Sequence, residues 1–208
     1  MGSWMAYQWD VFISYRRSND WPRFIEKLFL PMFRHWLDAA VGRPSRIFFD
    51  AHDIETGEQW PTKLADALAH SKTMLSLWSR EYFNSNWCES ELKQMLTRRN
   101  SVAPGPYGRP PIVLAVVMHD SEHVDQSVAD IQRYSLKGLC NPWIAEGSPM
   151  AERLSQEIEA LAHDVADALL RAPEYDDAWR ALIVQEFGEL FNLTFTQQLP
   201  PSLGDAAQ

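Results

Sequence analysis

Between Ser79 and Asn100 the chain reads SREYFNSNWCESELKQMLTRRN, and two residues in it are of types that could do chemistry. Trp87 and Glu91 stand four apart, a spacing that on a helix brings both onto one face. Leu92, Met95 and Leu96 supply the buried stripe of the same helix. A carboxylate beside a large aromatic ring at the open end of a sheet is suited to sugar chemistry, where it steadies positive charge developing on a sugar carbon. By themselves the two residues also fit an ordinary amphipathic helix. Glu91 is then an exposed residue whose replacement costs little stability.

Such a helix needs a framework, and the rest of the chain spells an alternating one. Trp9 to Tyr15, WDVFISY, is short, apolar and rich in β-branched and aromatic residues, as a buried strand of a parallel sheet should be. A helix is expected from Trp21 to Asp38, with Phe24, Ile25, Leu28 and Phe29 at helical spacing and Pro31 kinking or breaking it. RIFFD (Arg46 to Asp50) reads as a second strand, followed by a polar, Gly57-containing loop from Ala51 to Pro61 and a helix that opens near Pro61. TMLSLW (Thr73 to Trp78) and IVLAVVM (Ile112 to Met118) are the third and fourth strands, and LKGLCNPWI reads as an edge strand ended by Pro142. Ser148 and Pro149 start a helix whose stripe is Leu154, Ile158, Leu161, Val165 and Leu169.

Five such alternations predict an open parallel α/β sheet with helices on both faces. Ligands in these sheets bind outside the carboxyl ends of the strands, which here carry Tyr15, Arg16, Arg17, Asp50 and Ser79. Residues 1–8 read as an N-terminal tail and 9–172 as the domain. In 173–208 a further helix, Asp176 to Phe195, precedes the linker-like LPPSLGDAAQ.

The totals narrow the function classes. A formal charge of -9 sets an unfavourable field for nucleic acid, with Arg16-Arg17 and Arg98-Arg99 as the only basic clusters. Two cysteines, Cys88 and Cys140, make neither a disulfide framework nor a CxxC metal site, and the histidines show no metal-ligand spacing. No apolar run is long enough to span a bilayer, so a cytoplasmic setting without membrane contact is expected.

Taken together, DVFISYRR, FFDAHDIETGEQW and SREYFNSNWCESEL resemble the first strand, the second strand with BB loop, and the third strand, CC loop and αC helix of a Toll/interleukin-1 receptor (TIR) domain. The resemblance covers roughly Trp9 to Arg171 and implies a flavodoxin-like fold of five parallel strands. It divides functionally into adaptors and NAD-cleaving enzymes. In the enzymes a glutamate four residues after the tryptophan of a W-C-x-x-E-L pattern is catalytic, which implies that role for Glu91, with Trp87, Cys88 and Leu92 completing the pattern. Arg16-Arg17 directly after FISY also resembles the enzymatic branch, bacterial antiphage effectors included.

For such an enzyme NAD+ is the substrate and no cofactor or metal is required. Tyr15, Trp60 and Trp87 are expected to offer ring faces to the nicotinamide or adenine, and Arg16 and Arg17 forked donors to the pyrophosphate. Asp50 joins them at the strand end. Each has a plainer reading: a solvated pair for the arginines, a loop cap for Asp50, core or assembly contacts for Trp60, packing for Trp87. The implied partners are NAD+, other TIR domains through self-assembly, and a sensor domain or protein. The competing readings are a non-catalytic TIR scaffold and a flavodoxin-like nucleoside deoxyribosyltransferase.

Overall fold

A computed structural model describes residues 7–49, 60–106, 108–118, 128 and 130–191. Five parallel strands form one sheet in the order β2-β1-β3-β4-β5: β1 (Trp9–Tyr15), β2 (Ile47–Phe48), β3 (Ser71–Trp78), β4 (Val113–Val117) and β5 (Gln132–Ser135). That is the flavodoxin-like doubly wound order, in which the chain leaves β1 first toward β2 and then crosses to β3 on its other side. The switch point falls at β1 and β3, whose register pairs Ser14 with Ser76 and Tyr15 with Leu77.

Strand periodicity sorts the side chains onto two faces. Val11 and Ile13 of β1 join Leu75, Leu77, Leu114 and Val116 in one core cluster, whereas Phe12 joins Met74, Trp78, Val113 and Ala115 in the other. The first cluster is closed by α2 (Leu30–Val41) and α5 (Pro149–Leu170); the second by α3 (Trp60–Ala69), α4 (Asn86–Ser101) and α6 (Ala178–Phe191). Asp10, Phe12 and Ser14 share the α3/α4 side. Every position of the expected α5 stripe is buried, and Ser148 caps that helix by accepting from the Ala151 amide at 3.2 Å.

Three expectations need correction. Pro31 does not break its helix: α1 (Trp21–Phe24) runs through a π-helical turn, Ile25–Phe29, into α2, where Pro31 is an early residue. In the π turn the Leu30 amide reaches back five residues to the Ile25 carbonyl. The π-helical turn just ahead of Pro31 shifts the hydrogen-bond register there, so the chain stays helical through the proline. The fifth strand is QRYS, not LKGLCNPWI. An edge strand half open to water needs no apolar run, while Leu136, Leu139 and Ile144 bury themselves from turns. The second strand is the two-residue Ile47–Phe48 rather than Arg46 to Asp50; Phe49 follows it, and Asp50 lies outside the described residues.

Among the described residues no helix is long and apolar enough to cross a membrane. Both cysteines are free, and the described residues hold no cluster of His, Cys, Asp or Glu suited to a metal ion. The Arg98-Arg99 pair is no basic patch. Arg98 is buried, its guanidinium 4.0 Å from the Trp179 ring and 5.1 Å from that of Tyr7, and Arg99 is bonded to Asp130 at 2.6 Å.

Candidate active site

The loop before α4 ends in Ser85, whose side chain accepts the Cys88 amide at the helix N-terminus. The helix started there carries Trp87, Cys88 and Glu91 past the carboxyl end of β1. Strand alternation turns Ser14 toward them, and its Oγ donates to Glu91 Oε2 at 2.5 Å across 77 positions of sequence. That is a bond at the short end of the O–H···O range. Glu91 is only 6% exposed, so it is not the solvent-facing helical residue that its sequence neighbourhood allowed.

Ser14 is itself held. Its Oγ lies 2.9 Å from the hydroxyl of Tyr82, a fully buried phenol that also reaches the Cys88 carbonyl at 3.2 Å. Burial, reinforced by Cys88 and Glu91, raises the Tyr82 pKa well above its ordinary value, so the phenol keeps its proton. The single Ser14 proton goes to Glu91, and the single Tyr82 proton faces two acceptors, the Ser14 oxygen and the Cys88 carbonyl. The contacts among Tyr82, Ser14 and Glu91 fix one carboxylate oxygen in place.

A cleft of about 130 Å³ opens beside this line, and its walls include Phe12, Ser14, Leu64, Trp87, Cys88 and Glu91. Tyr15, Arg16 and Arg17 border it from the end of β1. Of the residues singled out in the sequence, the fold thus gathers Glu91, Trp87, Tyr15, Arg16 and Arg17 around one concavity. Their postures differ. Tyr15 belongs to the other sheet face, where its ring stacks on Phe49 with centroids 5.1 Å apart, and its hydroxyl accepts from Arg17 Nε at 3.1 Å. Arg16 is exposed. Trp60 opens α3 and Pro61 follows it, as the helix-start signal requires, but the Trp60 side chain, like Asp50, lies outside the described residues.

Cys88 is not poised as a nucleophile while it stays buried. Burial, with the Glu91 charge adding to it, pushes the thiol up to about 12, and the opposing Arg16 charge does not restore it. A groove of about 920 Å³ at the far end of α4, lined by Arg98, Tyr175, Asp176 and Trp179, is larger than the cleft. Its one buried cation is already occupied, since Arg98 donates to the Ser71 carbonyl at 2.7 Å and stacks on Trp179.

Two members of the site lie outside the residues singled out in the sequence. Ser14 is the one aliphatic hydroxyl in the strand DVFISY, on the same side of the pleat as Phe12; Tyr82 sits in the loop that leads into α4. The alternation alone would have aimed Ser14 at that helix.

Similar structures include the TIR domains of the activated Roq1 resistosome that recognises the pathogen effector XopQ, at 20% identity over 87% of this chain and 84% of that one, with a TM-score of 0.37. A metazoan TIR-STING receptor from C. gigas, solved with 2',3'-cGAMP, matches at 16% identity over 74% of this chain and 40% of its own, with a TM-score of 0.40. The TIR domain family model matches residues 11–146, well over half of the 208. That span contains β1 from Val11 onward, all of β2 to β5 and the whole of α4 with Glu91, and the chain belongs to the TIR domain family.

Proposed function

We propose that this TIR domain is an NAD+ glycohydrolase that breaks the bond between ribose and nicotinamide, with Glu91 as its catalytic carboxylate. The observation that carries the reading is the Glu91 carboxylate itself: buried, held by Ser14 at 2.5 Å and lining a cleft that Trp87 also lines. In NAD+ the leaving group is already a cationic pyridinium. The glycosidic electron pair passes to the ring nitrogen as the bond breaks, and neutral nicotinamide departs without protonation by a general acid.

What the site must supply is stabilisation of an oxocarbenium-like ribose, and a fixed carboxylate at the cleft wall does that. Water then adds to the anomeric carbon and gives up a proton, giving ADP-ribose; attack by a group of the same molecule gives a cyclic isomer instead. A cleft of about 130 Å³ matches one ring, given that a cavity of about 150 Å³ accepts benzene. The nicotinamide end therefore enters, beside Trp87, while the pyrophosphate stays at the mouth, within reach of Arg16 and Arg17. No cofactor or metal takes part in this scheme.

Self-assembly with other TIR domains is part of the same reading, as are a sensor that triggers it and a role in defence signalling. The scaffold alternative gives no reason to bury a carboxylate on a cleft. Incubating the purified protein with NAD+ and resolving the mixture by chromatography tests the proposal. Nicotinamide should appear in step with ADP-ribose or a cyclic isomer; NAD+ left intact at high protein concentration, and also after fusion to an oligomerising partner, would refute it.

A further inference from the structure

Two helices carry the cleft walls that face β1, α3 through Leu64 and α4 through Trp87, Cys88 and Glu91. A third helix, outside the matched residues 11–146, ties them together. Phe187 of α6 is fully buried, with its ring centroid 5.7 Å from that of Trp87. One residue earlier, Glu186 accepts a hydrogen bond from Gln94, and Trp179 lies beneath the Arg98 guanidinium at 4.0 Å. Positions 87, 94 and 98 of α4 thus meet 187, 186 and 179 of α6, so the two helices run antiparallel along the face that also bears Glu91.

On its other flank α6 holds α3. Arg180 Nε donates to Asp66 Oδ1 at 2.7 Å, and Ile183 is buried in the cluster that contains Leu64 and Leu68. Trp87 is only half buried, and a side chain of that size at a cleft edge has room to turn unless something packs behind it. Phe187 supplies that packing. We infer that α6 is a positioning element for the cleft: Phe187 holds the Trp87 ring in place as a wall beside Glu91, and the Arg180–Asp66 tie keeps α3 and α4 at a fixed separation. The kinetic consequence rests on the NAD+ reading; the geometric one does not.

Phe187→Ala takes away the ring packed 5.7 Å from that of Trp87 and leaves a cavity beside the indole. Cys88, 4% exposed in the same cleft, then becomes reachable from solvent. In a Cys140→Ser background, labelling of Cys88 by a small maleimide should speed up about 10-fold in Phe187→Ala, and Phe187→Met, which refills the volume, should largely restore protection. With NAD+ the same variant should show KM raised about fivefold and kcat within about twofold of wild type, a split that mere loss of stability does not produce in folded protein. Arg180→Ala, at a half-exposed position, should give a smaller change in the same direction and serves if Phe187→Ala does not fold. Should no form of the protein cleave NAD+, labelling alone decides. Cys88 protection equal to wild type in a folded Phe187→Ala, or an unchanged KM in an active one, would overturn the inference.

Discussion

The α3/α4 side of β1 meets a buried carboxylate at each end, and the two are treated in opposite ways. At the amino end Asp10, with no exposed surface, accepts two hydrogen bonds from the Arg43 guanidinium at 2.7 and 2.8 Å and one from the Arg46 amide at 2.9 Å. At the carboxyl end Glu91 takes a serine hydroxyl on one oxygen and borders a cleft. Burial works to raise the Asp10 pKa, but the hydrogen bonds from Arg43 and Arg46 and the charges of both arginines outweigh it and leave it lowered. A carboxylate neutralised by forked arginine bonds has nothing left for a ligand. The contrast separates a charge that fastens β1 to the segment before β2 from the charge that the NAD+ reading assigns to the substrate.

Substitution at the two ends should therefore fail in different currencies. Glu91→Gln keeps the side chain's shape and an acceptor for Ser14, so folding should persist while NAD+ cleavage falls at least about 100-fold, the equivalent of roughly 2.7 kcal/mol or more at the transition state. Steady-state rates with circular dichroism on the same sample would show it. Gln is the informative change because Ala at a buried position would also leave a cavity and an unpaired Ser14 hydroxyl.

Asp10→Asn should do the reverse. Removing one partner of a buried ion pair costs about 3–5 kcal/mol, but the Arg43 side chain is 45% exposed and water recovers part of that, so a loss of about 1–3 kcal/mol is expected. Turnover per folded molecule should not change. Because the folded-state pKa of Asp10 is lowered, its contribution is fully present above the unfolded value near 3.9 and is lost as pH falls through the folded value. Thermal midpoints of wild type and Asp10→Asn should thus differ by roughly 2–10 °C near neutrality and converge below about pH 4. A gap that stays constant down to pH 2 would mean that the Asp10 charge is not what fastens this end.

A smaller effect sharpens the functional end. Arg16→Ala or Arg17→Ala should raise KM for NAD+ by about 10-fold with kcat near wild type, since a clamp on the pyrophosphate holds ground and transition states alike. Arg17→Ala also removes the hydrogen bond that the Tyr15 hydroxyl accepts, so of the two it should have the broader consequences. A collapse of kcat at constant KM would place an arginine in the chemistry.

How far the sequence reached follows the same divide between local and distant causes. β4 was legible as an unbroken apolar run, β1 and β3 as short segments dominated by apolar, β-branched and aromatic residues, and the α5 stripe because its period is helical. QRYS escaped because an edge strand carries its polar residues outward, and the π turn before Pro31 has no composition of its own. Glu91 could be found from the Trp87 to Leu92 pattern. Its burial could not, because the hydroxyl that holds it comes from a strand 77 residues away. Phe187 behind Trp87 depends on packing across 100 positions, a distance at which no local signal survives.

The central claim is that the cleft beside Glu91 breaks the ribose–nicotinamide bond once copies of the domain come together. Its most direct test is the rate of nicotinamide release per molecule, measured for wild type and Glu91→Gln over a hundredfold range of protein concentration. Free association of small surfaces must first offset lost rotational and translational freedom, so the wild-type specific rate should climb more than proportionally with concentration. Glu91→Gln should stay at background throughout. Equal release by the two proteins, or none from wild type at the highest concentration, would contradict the account.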